Sequence, residues 1–145
     1  MNNEAHYRAL ESMYKAAPVN AFYSPEIGVT EGESEISIAV SEKLFHSARA
    51  VHGSVYFKML DDAAFFAANS LEPDYFVLTT SFTTYLTRPV SEGRLRSVGK
   101  VVNRTKSQFI VEAVVYDSDG NEVGRGNGIF VRSKMRLNDA MGYGE

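Results

Sequence analysis

The stretch HGSVYFKMLDDAAFFAANS, residues 52–70, decides how the rest of the chain can be arranged. It has no proline, and its one glycine, Gly53, stands near the start. Ser54 is a candidate N-cap, and Ala63, Ala64, Ala67 and Ala68 are strong helix formers, so the stretch reads as one long helix. Val55, Met59, Leu60, Ala63, Ala64, Phe66 and Ala67 cover one side, and Lys58, Asp62 and Asn69 form a narrow polar face. A helix this apolar is buried by other elements, not laid on a surface.

Upstream, Tyr7, Leu10, Met13, Tyr14 and Ala17 recur at helical spacing, which predicts a short helix over 4–17 that Pro18 stops. Ile27 and Val29, the turn Glu31-Gly32-Glu33, and alternating Ile36, Ile38 and Val40 predict a hairpin. Downstream, Tyr75 to Thr87 is rich in β-branched and aromatic residues and ends at Pro89. Arg94 to Val102, Gln108 to Tyr116 and Glu122 to Arg132 follow as strands, the last two joined by the turn Asp117-Ser118-Asp119-Gly120-Asn121. The tail after Lys134 is polar and is expected to fray. A long apolar helix cannot be covered by short loops, so the class is α+β, a curved antiparallel sheet wrapped around a central helix. Such a sheet ends in edges, which are commonly resolved by pairing with a second copy.

The 145 residues suit a single domain over 1–145. The net charge of -3, with both signs interspersed, speaks against a nucleic-acid binder, and no cysteine is present to form disulfides, thiolate metal sites or a thiol nucleophile. No stretch reads as a signal peptide or a bilayer-spanning run, so a cytoplasmic protein without membrane partners is expected.

Within the helix, Asp61 is the odd residue. It stands at the margin of the polar arc beside Phe57, Ala64 and Ala68. A carboxylate against apolar neighbours is harder to ionise and becomes a candidate base or nucleophile. The same sequence allows Lys58 to pair with Asp61 at i,i+3 or with Asp62 at i,i+4, worth ~0.2–0.5 kcal/mol at best. His52 precedes the helix start, where free N–H groups and the positive dipole end suit a polarised carbonyl or an oxyanion.

His52-Gly53-Ser54, with Asp61 nine positions after the histidine and Ala67-Ala68-Asn69-Ser70 closing the helix, resembles the phenylacetic-acid-degradation-type thioesterases of the hotdog superfamily. Their pattern is His-Gly-Gly followed by an acidic residue at that spacing. Glu31-Gly32-Glu33 and Arg88-Pro89 belong to the same resemblance, which covers roughly Pro25 to Arg132. It implies a hotdog fold and hydrolysis of acyl-CoA, or of an acyl group on a carrier protein. It further implies a homodimer or a dimer of dimers, with two sheets joined edge to edge and the active sites at the interface. The Gly53 N–H would polarise the thioester carbonyl, with His52 beside it. Asp61 of the other subunit would act as general base or nucleophile.

A hydroxyl residue on the following strand often assists in this family, and counting back from Pro89 places it at Thr79. Strand alternation separates Thr79, Ser81, Thr83, Tyr85 and Thr87 on one face from Thr80, Phe82, Thr84 and Leu86 on the other. The chain departs from the family pattern at His46, where an asparagine is usual, at Arg49, where a glycine is usual, and at Ser54, the second glycine of His-Gly-Gly. His46 and Ser54 are expected to contact substrate. Arg88, Arg94, Arg96, Arg104 and Lys106 are available for coenzyme A phosphates, with Arg88 the site candidate. No metal and no cofactor beyond the thioester substrate are implied. The departures also permit a non-catalytic hotdog protein that binds acyl-CoA or an acyl-carrier partner. A hotdog hydratase or dehydratase would need a different placement of histidine and acid.

Overall fold

The structure, a computed structural model, describes residues 2–144. Asn2 caps the first helix by accepting from the Ala5 N–H at 2.8 Å, and α1 runs Asn3–Ala16 until Pro18 turns it into a short 3-10 segment, Pro18–Phe22. The expected hairpin follows as β1 (Glu26–Thr30) and β2 (Glu33–Ala39), with Gly32 at positive φ in the turn. The long helix α2 spans Gly53–Ser70. Strands β3 (Tyr75–Leu86), β4 (Arg94–Arg104), β5 (Phe109–Tyr116) and β6 (Glu122–Arg136) complete the chain. All six strands form one curved antiparallel sheet in the order β1-β2-β4-β5-β6-β3, with α2 packed against it. This is the α+β arrangement that the apolar helix demands.

Period-two burial drives the sheet onto the helix. In β5, Phe109, Val111, Ala113 and Val115 are buried while the residues between them stay partly open. They meet Val55, Met59, Leu60, Ala63 and Ala64 of α2, each fully or nearly fully buried. A fully buried leucine such as Leu60 contributes about 1.5–3 kcal/mol. The helix sits close because Gly99 of β4 has no side chain. A Cβ there would stand 2.4 Å from the Ala63 carbonyl oxygen and 2.7 Å from the Ala64 nitrogen. The Ser34 hydroxyl fastens the same turn by donating to the Ala63 carbonyl at 2.7 Å.

Three expectations need correction. Asn69, placed on the polar face, is fully buried and ties the helix end to the next strand. Its amide donates to the carbonyls of Glu72 and Tyr75, and its oxygen accepts from the Val77 N–H. The tail after Lys134 is packed, not frayed. β6 continues to Arg136, Leu137 is buried, and the Tyr143 hydroxyl lies 2.7 Å from Nδ1 of buried His6. His6 Nε2 in turn lies 2.8 Å from the Asn69 carbonyl, so this contact joins the two chain ends to α2. Glu145, the last residue of that tail, lies outside the described residues. Third, β3 does not alternate regularly. Its register against β6 shifts between Thr79 (opposite Phe130) and Ser81 (opposite Ile129), which leaves Thr80 as the extra residue of a bulge. A bulge reverses parity, so Thr79 and Phe82 face the helix together.

Candidate active site

The bulge aligns β3 with one face of α2 in four rungs. Residues 53, 57, 61 and 65 recur every four positions and stack along the helix. A Cβ on Gly53 would lie 2.9 Å from Leu86 Cδ1. Phe57 meets Phe82 edge to face at 5.7 Å between centroids. Asp61 Oδ1 accepts from the Thr79 hydroxyl at 2.9 Å. Phe65 meets Phe76 at 5.0 Å. The Asp61–Thr79 rung is thus the polar step between two aromatic ones. Gly126 and Gly128 of β6 make the room for this, because a Cβ on either would stand 2.6 Å or less from the Phe82 ring.

That placement explains the electrostatics. Burial between the aromatic rungs pushes the Asp61 carboxyl up from 3.8 to about 6, against the opposing pull of the Thr79 hydrogen bond. The neighbouring Asp62 charge pushes it up further, and Lys58 pulls it down. Of the two pairings open to Lys58, the structure takes the i,i+4 one: its ammonium lies 2.8 Å from Asp62 Oδ2. The Tyr14 hydroxyl of α1 donates to the same oxygen at 2.6 Å. Asp62 Oδ2 therefore holds two donors, and Asp61 Oδ1 is held by Thr79. Beside this rung lies a cavity of about 300 Å³ walled by Phe65, Phe66, Phe76, Leu78 and the end of α1.

The other candidates gather at the opposite end of α2. A second cavity, about 320 Å³, is lined by His46, Gly53, Tyr56, Leu86 and Arg88. His52 caps the helix: its Nδ1 accepts from the Ser54 N–H at 3.0 Å and lies 2.8 Å from the Ser54 hydroxyl. The cap is thus His52, not Ser54. His46 Nδ1 likewise accepts a backbone N–H, that of Ala48, at 3.1 Å. An imidazole that accepts at Nδ1 carries its proton on Nε2 when neutral, so each ring keeps one outward donor. The His46 and His52 rings lie 6.4 Å apart. Among the described residues no cluster of His, Asp and Glu is placed to hold a metal ion.

The candidates therefore fall into two groups, Asp61 with Thr79 and Gly53 with His46, His52, Ser54 and Arg88. One chain does not bring them together: eight residues of helix separate Gly53 from Asp61, about 12 Å. The sequence alone does not mark Tyr14 as a site residue. Its helical spacing marks it as core, and nothing in the sequence links it to an aspartate 48 positions away.

A long helix in one antiparallel sheet, with an acid rung and a glycine at the helix start, defines the hotdog class. The Escherichia coli PaaI protein from the phenylacetic acid degradation operon superposes with a TM-score of 0.84 at 17% identity, covering 92% of this chain and 97% of its own. A thioesterase family protein from Silicibacter pomeroyi gives a TM-score of 0.79 at 24% identity, covering 90% and 97%. In sequence, a Thermoplasma volcanium protein that carries the name of an esterase is 25% identical over 108 residues, 74% of this chain and 80% of its own. The thioesterase superfamily model matches residues 49–124, more than half of the chain. The chain belongs to the thioesterase superfamily. Gly53, Asp61, Thr79 and Arg88 fall inside the matched residues, and α1 and His46 precede them. Among the described residues no helix is long and apolar enough to cross a membrane.

Proposed function

We propose that the protein is an acyl-CoA thioesterase in which Asp61 is the general base or nucleophile. The observation that carries this reading is the single polar rung: a raised carboxyl, held by one hydroxyl, between aromatic pairs and beside an apolar cavity. In the general-base course, Asp61 takes a proton from water as the water oxygen attacks the thioester carbonyl. The tetrahedral oxyanion rests on the Gly53 N–H and the positive end of α2. The C–S bond then breaks, and the coenzyme A thiolate leaves to be protonated. Above pH 6 the carboxylate is mostly charged yet still basic enough to accept that proton. The His46 Nε2–H is a second donor toward the carbonyl in the Gly53 cavity, and Arg88 a partner for phosphate.

The separation of about 12 Å between Gly53 and Asp61 is what a dimer resolves. Strand β3 is a sheet edge whose far side has no partner among the described residues, and it exposes Leu78, Tyr85 and Leu86. When a two-fold axis sets Gly53 of one copy against Asp61 of the other, the axis falls midway between them, at Phe57. That residue is 43% exposed although it is aromatic and on the inner helix. The homodimer, alone or doubled into a tetramer, therefore holds two sites on either side of a phenylalanine cluster.

Thiol release from short, medium and aromatic acyl-CoAs, with Asp61→Asn alongside, tests the reading. Turnover that falls ~10²–10⁴-fold in the variant supports it. Wild-type turnover in the variant rejects the site, and no turnover of any thioester by dimeric protein rejects the activity.

A further inference from the structure

The cavity beside the Asp61–Thr79 rung has a wall that the chemistry leaves unexplained. Met13, Tyr14, Ala17, Val19 and Asn20 line it, all from the end of α1 or the turn after it. These residues precede the segment shared with the superfamily. We propose that this wall selects the acyl group, with Ala17 and Val19 as its specificity-determining residues. The proposal rests on the thioesterase reading of the site.

An acyl group whose carbonyl stands at Asp61 has this cavity immediately beside it. Phe65, Phe66 and Phe76 bound it from α2 and β3, and the α1 end bounds it from the other side. The wall is held firmly. The Tyr14 ring lies 5.0 Å from that of Phe66, its hydroxyl is bonded to Asp62, and the Lys58 ammonium stands 5.5 Å over its face. From behind, the last turn of the chain presses on α1: a Cβ on Gly142 would stand 2.3 Å from the Ala16 methyl. A firm wall discriminates by size, whereas a loose flap would adapt. At about 300 Å³, the space is at the small end of ligand pockets, ~300–1,000 Å³. It suits a single ring or a medium-length chain, not a long fatty acyl group.

Ala17 is where that size is adjustable. It is half-buried, its side chain is one methyl, and its backbone is extended at φ -62, ψ 124 ahead of Pro18. That conformation is open to any residue, so a larger side chain adds bulk to the cavity without moving the backbone. Val19 stands at the rim, 61% exposed, where it can also be enlarged without disturbing the core.

The experiment measures kcat/KM for acetyl-, octanoyl- and phenylacetyl-CoA in wild type, Ala17→Phe and Val19→Trp, with unfolding temperature and dimer mass as folding controls. The expected result is a fall of at least tenfold in the octanoyl-to-acetyl ratio in Ala17→Phe, within the 10–200-fold range by which pocket size discriminates. A change in the same direction is expected in Val19→Trp, which carries the test alone should Ala17→Phe fail to fold. An unchanged ratio in active, folded variants overturns the proposal while leaving the thioesterase reading intact. An equal loss on all three substrates also overturns it, because the wall would then serve the chemistry and not the choice of acyl group. Absence of wild-type turnover overturns both.

Discussion

Asp61→Asn should stabilise the protein while disabling it. The carboxyl is held at about 6 in the fold, against 3.8 when free. At ~1.4 kcal/mol per pH unit this difference amounts to about 3 kcal/mol against the charged form. Asp61 retains some contact with solvent, which screens the penalty, so ~1–2 kcal/mol is the realistic share. Because the native state binds its proton more tightly than the unfolded chain, the penalty is fully present above about pH 6. It shrinks as pH falls and is gone below about 4. Asparagine keeps the shape and can still accept the Thr79 hydrogen bond, so it removes the charge alone. Thermal unfolding at pH 8 should therefore show the variant ~3–6 °C more stable than wild type, and at pH 4 the two curves should converge. A variant that melts at or below the wild-type temperature at pH 8 would refute the claim that Asp61 is held charged in an unfavourable setting.

Thr79→Val removes the hydroxyl that stabilises the charged carboxylate, so the acidic limb of the rate–pH profile should move to higher pH and kcat/KM fall ~10–100-fold; an unmoved limb would separate Thr79 from the chemistry. Phe57→Cys places the chain's first cysteine on the proposed axis. A short bis-maleimide should link it into covalent dimers, whereas Val102→Cys, on β4 well away from that edge, should stay monomeric on a denaturing gel. Glu72 is buried, accepts from the Asp74 and Tyr75 N–H groups and pairs with Arg132. Glu72→Ala should cost ~2–4 kcal/mol in chemical denaturation, and a loss below 0.5 kcal/mol would mean that the pair is idle. Gly126→Ala drives a methyl into the Thr83 carbonyl and the Phe82 ring and should lower the melting temperature while disordering the Phe57–Phe82 rung, read from aromatic proton shifts.

Most of the architecture is legible because it rests on local signals. The alanine-rich apolar run can only be an inner helix, and Glu31-Gly32-Glu33 can turn a hairpin because Gly32 accepts positive φ. The raised carboxyl of Asp61 is legible as well: Phe57, Ala64 and Ala68 stand beside it on the helix, and burial is the largest cause of the rise. The rest depends on partners distant in sequence. The bulge at Thr80 is a choice of register against β6, and strict alternation therefore misplaces Phe82 and Leu86. Leu137 and Tyr143 are too sparse among polar residues to announce that the tail is packed. Helical spacing places Tyr14 inward, but the aspartate that it reaches belongs to another element.

The clasp of the final turn on α1 also sets an order of events. A chain made from its N-terminus produces α1 before residues 137–143. The Asp61–Thr79 rung and the closed sheet both wait for β6, because the bulge at Thr80 is a register against that strand. Throughout that time α1 lacks the Gly142 and Tyr143 contacts that seat it. The first helix to be made is therefore among the last elements to be seated.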